Sequence, residues 1–237
     1  LLRQFDMGAP HVFATASLRN IRNTEEAVAQ IREATGVEVD VISGELEAKL
    51  GYYGTRLASN LRVGGVFDIG GGSTEILEVL GGEIRKAQSL PIGSLALFNT
   101  CVDGLWPKKK ELKKIRTAVA SALKEAWLPE QRVEKVCGVG GTARAVLKIA
   151  NAWYEKPAGN RSLTPAEVRR LTRLLLERDH QARKLILRSC PDRVHTILPG
   201  MMLMNTLTEK LCCGELYISP YGVREGYLCH KLLNAGT

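Results

Sequence analysis

Apolar and polar positions change period several times along this chain, and the changes mark its elements. Residues 11–16, HVFATA, form a short apolar run that predicts a buried strand. Beyond SLRN at 17–20, Ala27, Val28, Ile31 and Ala34 recur at helical spacing as far as Thr35. Asn23 or Thr24 stands at the cap of that helix, with Glu25 and Glu26 in its first turn. Alternation in VEVDVI, 37–42, predicts a second strand. Ser43-Gly44 breaks it, and ELEAKLGYYG opens a helix with Glu45 and Glu47 near its start. Strand, helix, strand, helix is the rhythm of an α/β protein.

The middle of the chain has a different pattern. In VFDIGGGSTEIL, 66–77, an apolar run ends in Asp68, three glycines and Ser73-Thr74 follow, and a second alternation carries Glu75. A Gly81-Gly82 turn leads to EIRKAQSL, so three strands joined by tight turns form a meander, with which a parallel doubly wound sheet would not begin. Helices are predicted over 91–99 and 108–128, the latter with Leu112, Ile115, Val119 and Leu123 on one face. The strand VEKVCGV then runs through Gly138, Gly140, Gly141 and Thr142 into the helix ARAVLKIA. Thr164-Pro165-Ala166-Glu167 is a capping box that opens a helix to about Glu177. Further helices are predicted over 181–187 and 191–210; in the second, Pro199-Gly200 predicts a kink or break that brings backbone close to a ligand. GELYIS reads as a last strand and YGVREGYLCHKLL as a last helix, whose small N-terminal residues invite close packing.

Composition narrows the class. A hydrophobic share of 45% with few aromatics in 237 residues fits a soluble α/β protein with an aliphatic core. No run approaches the roughly eighteen apolar residues that cross a bilayer, and no signal peptide is visible. The chain begins at Leu1, which raises the expectation of a missing leading segment. Six scattered cysteines without a CxxC pair, and four dispersed histidines, argue against zinc and for a reducing cytosol. The net charge of +8 is concentrated in 108–114 and 161–188 and favours polyanionic partners. The lysines of 108–114 are most simply a solvated helix face. Nucleic acid is the least favoured polyanion, because the basic residues are not interleaved with aromatic stacking platforms.

The two glycine turns carry the candidate chemistry. Gly70, Gly71 and Gly72 allow positive φ and let backbone N–H groups converge on an anion, Ser73 and Thr74 add hydroxyl donors, and Asp68 supplies an oxygen suited to Mg²⁺. The stretch is neither a Walker A loop, lacking the Lys-Ser/Thr pair, nor a GxGxxG opening a helix. At Gly140, Gly141 and Thr142 a strand passes into a helix N-terminus, where free N–H groups and the helix dipole favour an anion or nucleotide. The plain alternatives are a ligand-free hairpin and a close strand–helix packing turn.

Taken together, ATASLRN (14–20), ISGELEAKLGYYG (42–54), FDIGGGSTE (67–75), GVGGTAR (138–144), DRVHTILPG (192–200) and GVREG (222–226) resemble the exopolyphosphatase and guanosine pentaphosphate phosphohydrolase family. That family is a branch of the actin and sugar-kinase superfamily. The resemblance implies an α/β fold of two ribonuclease-H-like (actin-like ATPase) domains around a cleft, with mixed sheets and flanking helices. It places the remainder of the first domain at 1–54, the second at 55–225, and a C-terminal helix at 226–237 returning towards the first. The family's Asp-Leu-Gly-Ser-Asn-Ser type of hairpin is absent here, so the first domain is expected to be incomplete at its N-terminus.

The resemblance also implies roles. Glu47 would be the catalytic base, Arg19 would contact the phosphate chain, and Asp68 and Glu75 would hold Mg²⁺ or its waters. Gly70, Gly71, Gly72, Ser73 and Thr74, together with Gly140, Gly141 and Thr142, would face phosphates, while Arg224 and Glu225 would serve a structural interdomain role. The implied activity is release of terminal orthophosphate from inorganic polyphosphate with Mg²⁺, in the cytoplasm, with guanosine pentaphosphate as the rival substrate. A homodimer is a further expectation, with no nucleic acid and no membrane as partner. A non-catalytic actin-like nucleotide or alarmone sensor is the competing class. A sugar or metabolite kinase on the same fold lacks a convincing sugar loop or aspartate base.

Overall fold

The structure, a computed structural model, describes residue 8 and residues 10–128, 133–177 and 179–233. The expected start of the first domain at 1–7 and the end of the C-terminal helix at 234–237 lie outside the described residues. The elements are, in chain order, β1 (Val12–Ala14), α1 (Ala16–Arg19), α2 (Thr24–Thr35), β2 (Val39–Val41), α3 (Gly44–Thr55), β3 (Gly64–Ile69), β4 (Thr74–Leu80), β5 (Glu83–Leu90), α4 (Ser94–Cys101) and α5 (Lys109–Lys124). They continue as β6 (Lys135–Val139), α6 (Gly140–Trp153), β7 (Ser162–Leu163), α7 (Pro165–Glu177), α8 (His180–Ser189), α9 (Ile197–Lys210), β8 (Glu215–Ile218) and α10 (Val223–Tyr227).

β1 and β2 make a parallel two-stranded sheet. The other strands form one mixed sheet in the order β5-β4-β3-β6-β8-β7. The predicted meander pairs antiparallel, β3 then runs parallel to β6 and β6 to β8, and β7 closes the edge antiparallel to β8. Parallel neighbours need crossovers, so the carboxyl ends of β3, β6 and β8 gather on one side of the sheet. In open α/β sheets that is the side where ligands bind.

The period of two along each strand sorts the faces. Phe67, Ile69 and Ile76 enter the large core beneath α4 to α9. Val66, Leu77, Val79, Cys137 and Val139 face the other way and take Ala48 and Tyr52 of α3. Asp68 and Glu75 share that second face by alternation. In register, Asp68 pairs with Glu75 and Glu75 with Ser89, so the three residues make one row across β3, β4 and β5. α3 thus lies over a sheet face that is aliphatic under its C-terminal half and polar under its N-terminal turn.

The last helix crosses α3 at a distance only glycine allows. A Cβ on Gly226 would collide with the Leu50 carbonyl, and one on Gly54 with the Gly222 carbonyl. α10 runs on through a π-helical turn, Leu228–Leu232. Tyr227 stacks on Phe13 with ring centroids 4.5 Å apart and its hydroxyl donates to Asp40 at 3.0 Å, which fastens α10 to the small sheet. The close packing expected at this helix is present.

Several boundaries differ from the sequence reading. Ala16 opens the single turn of α1 and is not the end of a strand. The helix expected to reach residue 128 ends at Lys124. The helix expected over 191–210 is divided into a 3-10 turn, Pro191–Arg193, and α9. Pro199 sits in the first turn of α9, where a backbone N–H has no intrahelical partner to lose, and the helix runs uninterrupted from Ile197 to Lys210. Gly200 serves packing, since a Cβ there would come 2.6 Å from Thr142 Cγ2 and 3.1 Å from Ser94 Cβ. Among the described residues no helix is long and apolar enough to cross a membrane.

Candidate active site

Arg19 is the last residue of α1, and Glu47 lies in the first turn of α3. That turn is fixed where the sequence placed its break: Ser43 Oγ accepts the Leu46 N–H at 3.1 Å. Glu45, in the same turn, is exposed and pairs with Lys49 at 2.7 Å. Glu47 turns inward, with 8% of its surface exposed.

Arg19 joins the separate parts. Its Nη1 donates to Glu47 Oε2 at 2.7 Å and to the Ile42 carbonyl at 3.1 Å. Its Nη2 stands 3.7 Å from Glu75 Oε1 and donates to Ser89 Oγ at 3.4 Å. Ser89 donates in turn to Glu75 Oε1 at 2.7 Å. Glu75 Oε2 is buried and unpartnered among the described residues. The carboxylate expected as a cation ligand is therefore tied to Arg19 and Ser89, in a residue only 2% exposed.

Asp68 is less enclosed than Glu47 and Glu75. It keeps partial exposure at the end of β3 and makes no side-chain hydrogen bond among the described residues. Its Oδ1 lies against Gly140, where any Cβ would strike it, and Gly140 holds a φ of 85° that L side chains rarely adopt. The second glycine turn is thus shaped around the Asp68 carboxylate at the N-terminus of α6. Burial and the nearby charge of Glu47 push the Asp68 carboxyl up to about 7 against the opposing pull of Arg144. Burial and Glu47 likewise push Glu75 up to about 8, although the Ser89 hydroxyl works the other way. Three carboxyl groups share a site in which Arg19 reaches Glu47 and Glu75 and Arg144 acts on Asp68, and burial keeps Asp68 and Glu75 reluctant to ionise.

The glycine bend is strapped in place. Gly70 N–H donates to the Ser73 carbonyl at 3.0 Å, the Gly70 carbonyl accepts from Ser94 N–H at 2.9 Å, and the Gly71 carbonyl accepts from Leu95 and Ala96. Gly71 and Gly72 are exposed, and the N–H groups of Gly71, Gly72 and Ser73 make no hydrogen bond among the described residues. Two of the expected hydroxyl donors face elsewhere. Thr74 is fully buried and donates to the Ile92 carbonyl at 2.6 Å, and Thr142 is turned to Ser94 Oγ at 3.5 Å. Ser73 is buried as well and its hydroxyl acts on the Glu75 carboxyl, which leaves its backbone as the available donor. Gly141 lies under the Arg193 guanidinium, so close that a Cβ would displace it.

Sequence reasoning singled out neither Ser89 nor Arg193. Ser89 was legible only through the register of β5 against β4, and a bulge at Glu78/Val79 shifts that register by one. Arg193 lay in plain sight within DRVHTILPG, but only the fold brings it to Gly141. A groove of about 780 Å³ lined by Arg62, Lys86, Trp127 and Lys135 lies at the other ends of β3 and β6 and holds none of these residues.

The model of the Ppx/GppA phosphatase family matches residues 1–235. Exopolyphosphatase 1 of Mycobacterium tuberculosis is 26% identical over 227 residues, which cover 93% of this chain and 66% of that protein. The chain therefore spans just under two thirds of the length of this relative. Among solved structures, the Aquifex aeolicus member of the Ppx/GppA family superposes with a TM-score of 0.75 at 26% identity, over 100% of this chain and 78% of that one. An exopolyphosphatase from Cytophaga hutchinsonii shares the fold with a TM-score of 0.81 at 19% identity, over 99% of this chain and 78% of that one. The matched residues take in every element that carries Arg19, Glu47, Asp68 and the two glycine turns, so the likeness is not confined to a glycine motif: this chain belongs to the Ppx/GppA phosphatase family and has its actin-like ATPase fold.

Proposed function

We propose that this chain hydrolyses phosphoanhydride bonds and releases terminal orthophosphate from inorganic polyphosphate with Mg²⁺. The observation that carries this reading is the meeting of Glu47, Arg19 and Asp68, from three separate elements, beside the free N–H groups of residues 71–73. Residues 1–54 supply the first two and residues 55–225 the rest, which agrees with a reaction between the two domains that the resemblance implies.

Each group has a task in such a reaction. The Arg19 fork and the N–H groups of the glycine bend hold phosphate oxygens. A phosphate oxygen docking on Arg19 competes with Glu47 for it and frees the carboxylate. Glu47 then takes a proton from water as the water oxygen bonds to the terminal phosphorus and the bridging P–O bond breaks, so the chain leaves one phosphate shorter. Mg²⁺ binds through one or two carboxylates together with waters and substrate phosphates, and would neutralise charge on those phosphates. Among the described residues no group of three His, Cys, Asp or Glu side chains is arranged to enclose a metal. Asp68, partly exposed at the end of β3 and raised in pKa by burial and by the charge of Glu47, fits that one-carboxylate mode. Glu75 fits a supporting place beside Arg19 better than a ligand's.

Guanosine pentaphosphate is the second reading, favoured by Arg193 over Gly141 at the α6 N-terminus, where a further phosphate would find donors. Phosphate release by the intact gene product from polyphosphate, guanosine pentaphosphate and ATP, with Mg²⁺ and with chelator, tests both. Polyphosphate turnover abolished by chelator supports the first reading. Turnover of the nucleotide alone supports the second, and no release from any of the three removes both.

A further inference from the structure

We infer that Ser89, which no part of the sequence pattern singles out, is a positioning residue that sets the direction of the Arg19 fork. The geometry is specific to a hydroxyl. Ser89 Oγ donates its proton to Glu75 Oε1 at 2.7 Å and accepts from Arg19 Nη2 at 3.4 Å, and only a group that is donor and acceptor at once serves both. Its place is equally constrained. It stands directly across the ladder from Glu75, and the backbone of Gly44, at the start of α3, packs so closely on it that a Cβ there would overlap the Ser89 side chain. Ser89 therefore sits at the joint between the meander, the arginine of α1 and the helix that carries Glu47.

Without that hydroxyl, Arg19 keeps its bonds to Glu47 and the Ile42 carbonyl, both through Nη1. The Nη2 edge is left with Glu75 alone at 3.7 Å, beyond hydrogen-bond distance. The fork is free to turn about the Nη1 contacts. A planar fork that is misdirected grips phosphate oxygens poorly. The consequence for turnover rests on the phosphohydrolase reading above; the hold on Arg19 does not.

The test is a double-mutant cycle in the intact gene product, together with a chemical probe of Arg19. Ser89→Ala should lower kcat/KM for polyphosphate about tenfold. In an Arg19→Ala background the same change should cost less than about twofold, because the residue it acts through is gone. Independently of turnover, phenylglyoxal should modify Arg19 several times faster in Ser89→Ala than in the parent, read by peptide mass spectrometry. A tenfold loss repeated in the Arg19→Ala background, or an unchanged labelling rate, overturns the inference. A parent enzyme that releases no phosphate while Arg19 labelling still responds to Ser89→Ala overturns the functional reading and leaves the positioning role supported.

Discussion

Asp68 and Glu75 lie on one strand face, opposite each other, and the fold raises both: Asp68 to about 7 and Glu75 to about 8, by burial first and by Glu47 second. Carboxyls of unfolded chains titrate near pH 4. Between about pH 4 and pH 8 the folded chain therefore binds more protons than the unfolded one, so this pair lowers stability as pH rises through that window. Asp68→Asn should raise the melting temperature by about 3 °C at pH 8.5 and leave it unchanged at pH 4, as read by calorimetry. A gain equal at both pH values would show that the carboxylate is not held high. Glu75, whose pKa burial and Glu47 push up to about 8, should tolerate Glu75→Gln with kcat/KM at pH 7 within about threefold of the parent, whereas Glu75→Ala should lose more than tenfold. A residue that ligated the cation as a carboxylate would behave otherwise, because the amide carries no charge. Asp68 was legible as a candidate from its place at a strand end before the glycine bend, and Glu47 only through the family resemblance, since nothing in its local spacing sets it apart from a surface helix residue. The burial of Glu75 and the inward turn of the Thr74 hydroxyl were not legible, because both depend on partners, Arg19 and Ile92, that arrive from other elements.

Elements declare themselves where their signals are short-range. The Thr164–Glu167 box is formed as read, with the Thr164 N–H on Glu167 Oε2 at 2.7 Å and the Glu167 N–H on Thr164 Oγ1 at 3.2 Å. The meander was equally plain, because glycine pairs at tight turns between alternating runs leave few other folds. Pro199 misled because a proline in a first turn and one in mid-helix look alike until the helix start is known. The glycines whose place only the fold explains are those of close approach. Gly140→Ala would force a Cβ onto Asp68 at a φ of 85° and should destabilise by about 1–3 kcal/mol while impairing activity. Gly226→Ala, at the crossing of α10 on α3, should destabilise by a similar 1–3 kcal/mol, and any loss of activity should follow the loss of folded protein. Urea denaturation with parallel assays at low temperature separates the two cases.

At the scale of the molecule, fold class and family were within reach of the sequence because the motifs occur in order along nearly the whole chain, whereas the order of strands beyond the meander was not. A cleft was expected from the resemblance alone; which side chains meet there was not legible, since α1 and α3 join the carboxyl ends of β3 and β6 only in the fold. A net charge of +8 adds a long-range attraction for polyanions that salt screens, so KM for polyphosphate should rise severalfold between about 0.05 and 0.3 M salt while kcat changes little. The central claim is that Glu47 takes the proton of the attacking water in a cleft that other groups make sticky for phosphate. Its most direct test is Glu47→Gln in the intact gene product, with phosphate release and polyphosphate affinity measured side by side. The account predicts at least about a hundredfold loss of release with affinity within about threefold of the parent. Release that persists near the parent rate, or release and affinity that fall together, would contradict it.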